Sequence, residues 1–335
     1  MTARIGLQIG MVGSPSERDE IIKRVQIADD LGVESVWVAE AWGRDAFSIL
    51  TQLALTTKNI QLGTAIVNVF SRTPAVLAMT FGTLDELSGG RAIIGLGSSG
   101  ANVVEHWHGV KFEKPATRLR EYIEIINTIM RREKLNYDGK VFKLERGFSM
   151  QFPTFREHIP TYIASITPKS VVQTGEVADG WIPIYWPKDK IGNGVAMLME
   201  GATKAGKTRA DITVAPAIVV QITDAGDEAT MRMQARGPIA FYVGRMGSYY
   251  YEMLNRHGFE EEVTAIKAGW AARDPKTAAM GVSDRMLDQT AIVGPVGKCR
   301  DELNERRMLG VDLPIIGMPG RDAAEMGRIL ETLMR

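Results

Sequence analysis

The 335-residue chain has a single cysteine, Cys299, and four histidines, His106, His108, His158 and His257. One thiol excludes an intrachain disulfide and any site built from several cysteines, and it points to a reducing compartment. Net charge is absent too: 40 basic residues balance 40 acidic ones. The chain therefore lacks the electrostatic footprint of a protein that binds nucleic acid or an anionic membrane. No apolar run reaches spanning length, and no signal-like leader precedes the strand pattern that begins at Arg4. A cytoplasmic protein is the expectation.

What the sequence does have is a repeating alternation. Apolar runs at 4–10, 33–39, 60–67 and 92–94 each lead into a helix-like stretch. Ser14-Pro15-Ser16 opens the first helix, Asp45 precedes the second, and Thr73-Pro74 starts the third, with proline where its missing N–H costs least. A long amphipathic helix is predicted over 116–132, and a small hairpin over 137–142 with an Asp-Gly turn. Strands at 160–165, 179–183, 212–220 and 311–316 follow, with a last helix over 322–334. Such alternation predicts a parallel sheet with right-handed crossovers. Eight units closing on themselves make a TIM (β/α)8 barrel, and an open doubly wound sheet is the alternative. Gly6 to Gly13 lack the G-x-G-x-x-G fingerprint, which favours the barrel. One domain over 1–335 is expected. Residues 228–286, mostly helical and rich in Tyr, Met, Arg and Gly, read as an insertion covering the barrel top.

The stretch Gly89-Gly-Arg-Ala-Ile-Ile-Gly-Leu-Gly-Ser-Ser-Gly100 lets a ligand approach the main chain without Cβ interference. Its N–H groups suit a phosphate or a polar ring edge. A tight strand-to-helix turn explains the same residues without a ligand. Glu40 directly follows the second strand, on the catalytic face of a barrel, and reads as a ligand contact or as a cap or loop carboxylate. Glu105 reads first as a solvated helix residue. His106 and His108 with Glu105 make a poor metal set, since positions i and i+2 of a helix do not face each other. Gly97-Ser-Ser-Gly100 lacks the G-x-S-x-G elbow, and Cys299 sits at a helix start, so no nucleophile stands out. Trp42, Trp107, Trp181 and Trp186 fall at or near strand ends, where aromatics either flank a flat ring or simply pack.

Several segments together resemble a known family. They are Ile27-Ala-Asp-Asp-Leu-Gly-Val-Glu-Ser-Val-Trp-Val-Ala-Glu40, Leu62-Gly-Thr-Ala-Ile-Val-Asn68 with Arg72-Thr-Pro74, and Leu87-Ser-Gly-Gly-Arg-Ala-Ile-Ile-Gly-Leu-Gly97. Gly175-Glu-Val-Ala-Asp-Gly-Trp181 and Ala291-Ile-Val-Gly-Pro-Val296 complete the set. The chain resembles the bacterial luciferase-like monooxygenase superfamily, on its coenzyme F420-dependent side, which includes methylenetetrahydromethanopterin reductase and a secondary alcohol dehydrogenase.

The resemblance implies a TIM barrel with insertions that binds F420, a deazaflavin, at the carboxyl ends of its strands. It implies a bulge with a non-proline cis peptide at Ala65–Ile66 against the ring, Asn68 beside the ring, and Glu40-Ala41 after the second strand. Tail-phosphate contacts map to Gly97, Ser98, Ser99 and Gly100, and to Ala164, Ser165, Ile166 and Thr167. Hydride transfer at C5 of the deazaflavin, a small-molecule substrate and a homodimer follow from the same resemblance, with no metal, membrane or nucleic acid.

Two departures matter. Several F420 dehydrogenases carry Asp-His where this chain has Glu40-Ala41, and no glutamate follows the glycine loop at Gly100-Ala101. Alcohol oxidation loses its acid–base pair, and an imine, iminium or activated alkene fits better. Glu40 is the candidate catalytic residue, as a polar group near the reacting centre. The expected pocket roof is the loop after the second strand, the 107–114 segment, and the insertion with Arg245 and Tyr249–Tyr251. Lys188, Lys207, Arg209 and Arg285 read as solvated surface or as contacts for the cofactor's polyglutamate tail. The alternatives are an FMN-dependent monooxygenase of the same superfamily and a non-catalytic F420- or flavin-binding protein.

Overall fold

The computed structural model describes residues 3–10, 17–224 and 226–335. The chain divides into two compact units. One comprises 7–164 and 177–180; the other comprises 165–176 and 181–335 with the N-terminal residues up to Gly6.

In the first unit the order is β1 (Gly6–Ile9), α1 (Glu17–Asp30), β2 (Ser35–Val38), α2 (Ala46–Thr56), β3 (Gln61–Thr64), β4 (Val67–Asn68) and α3 (Pro74–Ser88). Then come β5 (Ala92–Gly97), α4 (Ala101–His106), α5 (Pro115–Met130), β6 (Leu135–Asp138), β7 (Lys143–Phe148) and β8 (Thr161–Ile163). Strands β8, β5, β3, β2 and β1 lie side by side in that order, and β4 also pairs with β5. The registers from β2 through β8 are parallel. Every residue of β2 and β5 is buried, so both strands read as near-continuous apolar runs.

Local signals set the helix ends. The Asp45 carboxylate accepts the Ser48 N–H at 2.7 Å, and the Thr73 hydroxyl accepts that of Val76 at 3.3 Å. Gly89, left-handed at φ 67°, closes α3. The helix start expected at Ser14-Pro15-Ser16 lies outside the described residues, as does Gly13.

Two features differ from the sequence expectation. The strand expected over 60–67 is two strands, separated at Ala65–Ile66, where the peptide bond is cis as the resemblance implies. The hairpin of β6 and β7 closes through 139–142, and that loop is wrapped around the buried Glu121 carboxylate. Glu121 accepts the N–H groups of Lys140, Val141 and Phe142, so a remote side chain organises the turn that Asp-Gly alone was expected to make. Asp29 acts in the same way on the entry to β3. It is 6% exposed and accepts the N–H groups of Lys58, Asn59 and Ile60 at 2.6, 2.9 and 2.7 Å. Burial works to raise its pKa, but these bonds and the Arg91 charge outweigh it and hold the carboxyl below the usual range.

The second unit contains α6 (Pro168–Val177), β9 (Gly180–Trp181), α7 (Ile191–Lys204), β10 (Thr213–Val214) and β11 (Ala217–Ile222). Five helices follow: α8 (Glu228–Arg245), α9 (Ser248–Arg256), α10 (Glu260–Ala271), α11 (Pro275–Met280) and α12 (Asp284–Thr290). β12 (Ala291–Gly294), α13 (Val296–Met308), β13 (Ile315–Gly317) and α14 (Ala323–Leu333) complete it. β11 pairs in parallel with β13 through Ala217 and with β12 from Val219 onwards. The run expected as one strand over 212–220 breaks at Ala215-Pro216, where proline has no N–H for a ladder. β12 was not anticipated, since a four-residue Ala-Ile-Val-Gly run following a helix carries little strand signal. The expected last strand shortens to 315–317, because Asp312 and Leu313 both donate to the single carbonyl of Val214. Among the described residues, no helix is long and apolar enough to cross a membrane.

Candidate active site

In the first unit, buried strands emerge at their carboxyl ends. After the buried β2, Ala39, Glu40 and Ala41 are half-buried; Ala65 and Ile66 are so between β3 and β4, Ser98 and Ser99 after β5, and Ala164 after β8. These points form one line. The Glu40 N–H donates to the Ile66 carbonyl at 3.3 Å, and the Ala65 N–H to Val38 at 2.9 Å. Asn68 stands opposite Gly97 in the register, and the Ala164 N–H donates to Leu96 at 2.9 Å.

Glycine makes this closeness possible. A Cβ on Gly97 would lie 3.0 Å from the Ile66 side chain and 3.5 Å from the Ala164 Cβ. A Cβ on Gly95 would fall onto the Thr64 carbonyl oxygen. Beyond Gly97, Ser99 is left-handed at φ 57°. Gly100 serves the main chain as an acceptor, from Val103 and Val104, while the N–H groups of Ser98 and Ser99 have no main-chain partner among the described residues. A backbone with small side chains and open donors can hold a phosphate or a ring edge.

Glu40 is not a loose carboxylate. Arg72, on the loop before α3, grips both of its oxygens, at 2.5 and 3.0 Å, and the Ala46 N–H donates to it at 2.9 Å. Arg72 also pairs with Asp45 at 2.5 Å and lies over the Phe47 ring. The hydrogen bond to Glu40 is the chief reason that the Arg72 guanidinium holds its proton more tightly than usual. Burial would raise Asp45, but hydrogen bonds from Ser48 and the Arg72 charge pull its carboxyl below the ordinary range. The sequence marked Glu40 but gave no hint of its partner, 32 residues away.

Asn68 is also fully engaged. Its Oδ1 accepts the N–H groups of Phe70 and Ser71 at 2.9 and 2.8 Å, so the amide nitrogen is the group facing His108 Nε2 at 3.2 Å. That nitrogen can only donate, so Nε2 accepts and the ring proton sits on Nδ1. His108 thus meets a strand-end residue, a contact that its weighing as a metal ligand with His106 and Glu105 did not anticipate. Among the described residues, no cluster of three or more His, Cys, Asp or Glu could hold a metal.

The other sequence candidates lie in the second unit. The Ser165 hydroxyl meets that of Thr174 at 2.8 Å, and its carbonyl accepts the Trp181 indole N–H. The Ile166 carbonyl accepts from Arg256, and the Thr167 hydroxyl meets Ser170 at 2.8 Å. Trp181 and Trp186 are buried and packed edge to face 5.1 Å apart, so both are core, while Trp42 and Trp107 are exposed. Lys188 pairs with Glu302 and Glu305, Arg209 with Asp312, and Arg285 with Glu262. Tyr250 packs edge to face on Tyr242, Tyr251 lies under Lys267, and Arg245 lies over Trp270. Cys299 is buried, and burial pushes its thiol up to about 11, which leaves it a poor nucleophile.

Parallel strands with intervening helices, and a glycine-lined line of accessible backbone at their carboxyl ends, are the architecture of an α/β enzyme of the barrel type, a fold in which ligands bind at that end. The chain belongs to the luciferase-like monooxygenase family, whose model matches residues 5–313. It is 32% identical, over 93% of this chain and 94% of the other, to a Mycobacterium tuberculosis protein named as a coenzyme F420-dependent oxidoreductase. It is 33% identical to the 5,10-methylenetetrahydromethanopterin reductase of Methanolobus tindarius, over 90% of each chain. The solved coenzyme F420-dependent tetrahydromethanopterin reductase of Methanopyrus kandleri superposes with a TM-score of 0.83 at 25% identity, covering 100% of this chain and 98% of that one. The fold is the TIM barrel of this family.

Proposed function

We propose that the protein is an F420-dependent oxidoreductase of the reductase type, acting on a small molecule with an imine, iminium or activated alkene. The observation that carries this is the line of accessible main chain from Glu40 through Ala65–Ile66 to Ser98–Ser99, in a chain similar along its length to F420-dependent reductases.

F420, when bound, supplies a deazaflavin ring that accepts or releases hydride at C5. Around it the chain supplies position and electrostatics. Ala65, Ile66 and Asn68 would hold the ring, and the Ile66 side chain fills the space that Gly97 leaves open. Glu40 and Ala41 would border the reacting face, with the Glu40 carboxylate oriented by Arg72. The N–H groups of Ser98 and Ser99, without a main-chain partner among the described residues, together with Gly97, Gly100 and Ala164, suit the tail phosphate. Ser165, Ile166 and Thr167 are assigned to the same cofactor by the resemblance. A homodimer accompanies this reading.

The test is anaerobic oxidation of reduced F420, followed by absorbance, against a panel of imines, iminium ions and activated alkenes. Turnover that needs an organic acceptor supports the reading. Oxidation that proceeds only with oxygen as acceptor overturns it.

A further inference from the structure

Arg118, in the first turns of α5, is a cation the reading above leaves unused. Its guanidinium lies over the Phe70 ring at 4.7 Å and over the Phe142 ring at 5.3 Å. Phe70 in turn packs on Phe112, 5.1 Å away. Two phenyl faces hold a planar guanidinium by cation–π attraction and fix its plane. Its Nε is buried and has no hydrogen-bond partner.

Its neighbours do not neutralise it. The guanidinium reaches the Tyr122 hydroxyl, which is itself committed as a donor to the Arg72 carbonyl at 2.6 Å. Glu113 feels the Arg118 charge, but that carboxylate is exposed and paired with Lys111. Lys111, Lys114 and Arg120 add positive charge to the same segment, and Glu121, the next acid along the helix, is committed to the N–H groups of Lys140, Val141 and Phe142. The half-buried guanidinium has two aromatic faces beside it, and its fork of donors matches a carboxylate.

Arg118 is joined to the strand ends already described. Phe70, beneath its guanidinium, donates its N–H to Asn68, and Asn68 binds His108 and pairs with Gly97. We propose that Arg118 is a specificity-determining residue that receives a carboxylate of the substrate, so that the preferred substrate is a carboxylate-bearing molecule. This rests on the F420 reading only for the reaction; the anion site stands on the arginine itself.

Benzoate and benzamide make the probe pair, equal in shape and different in charge. Each is titrated into the wild-type protein while the Arg118 Nε–H NMR signal is followed; that signal is assigned by its loss in Arg118→Lys. F420 affinity is measured separately on wild type, Arg118→Lys and Arg118→Met. Benzoate is expected to shift the signal and benzamide to leave it in place. Arg118→Met should weaken benzoate by about tenfold or more, the worth of a charged hydrogen bond, with Arg118→Lys intermediate. F420 affinity should stay within about threefold throughout, well under one hydrogen bond's worth. Equal binding of benzoate and benzamide, or undiminished benzoate binding by Arg118→Met, overturns the proposal. So does a tenfold loss of F420 affinity in Arg118→Met, which gives the arginine to the cofactor's acidic tail. If Arg118→Met fails to fold, Arg118→Lys with the acid–amide pair still decides, because a purely structural arginine would not tell the two probes apart. Failure of the wild type to bind F420 sinks the cofactor reading and leaves the benzoate result to decide the anion site.

Discussion

The two carboxylate oxygens of Glu40 meet the two terminal nitrogens of Arg72, Nη1 to Oε1 at 2.5 Å and Nη2 to Oε2 at 3.0 Å. This two-point pair ties the end of β2 to the loop before α3, and the Ala46 N–H completes the carboxylate's partners. The Glu40 carboxylate is therefore held in one orientation. Arg72→Met strands the carboxylate and should cost about 2 kcal/mol, less than for a fully buried pair because both side chains retain some water contact. Glu40→Gln combined with Arg72→Met should recover part of that loss. Urea unfolding of the two single variants and the double variant measures it; additive losses would mean that the two residues do not act as a pair.

Asn68 fixes the tautomer of His108. In the neutral ring the proton is expected on Nδ1, because the amide nitrogen of Asn68 offers Nε2 only a donor. Asn68→Asp replaces that donor with an acceptor and should move the proton to Nε2. Nitrogen-15 shifts of the His108 ring read both states. A wild-type ring protonated at Nε2 would contradict the assignment.

Asp29 gives a pH-dependent stability with a definite sign. Its folded-state pKa is lowered, so its contribution is present above the ordinary aspartate value of about 3.9 and is lost as pH falls through the lower folded-state value. Asp29→Asn keeps the shape but weakens three charge-assisted hydrogen bonds, which should cost about 2 kcal/mol at pH 7. The gap between wild type and variant should begin to narrow below about pH 4, as the unfolded-state carboxyl takes up a proton, and close as pH falls through the lower folded-state value. A gap in urea stability that is the same at pH 7 and pH 3.5 would rule this out.

Much of this was legible in the residues because local physics decided it. The apolar runs of β2 and β5, the caps at Asp45 and Thr73 and the glycines around β5 act within a few positions of themselves. What the sequence hid was long-range. Asp29 holds residues 58–60, Glu121 holds 140–142, and Arg72 answers Glu40, all across separations for which a single sequence has no periodicity. His108 was set aside because helical spacing rules out a shared ligand with His106, but its partner lies on a strand instead. Arg118 gave no signal at all, since the rings that sandwich it come from a loop and a hairpin on either side of it in the chain.

Direct titration of the purified protein with F420, and separately with FMN, tests the cofactor assignment most directly. Micromolar or tighter binding is expected for F420, with FMN at least about tenfold weaker, a difference of roughly 1.4 kcal/mol. Equal or tighter binding of FMN would contradict the assignment and turn the chemistry of this barrel towards flavin and oxygen.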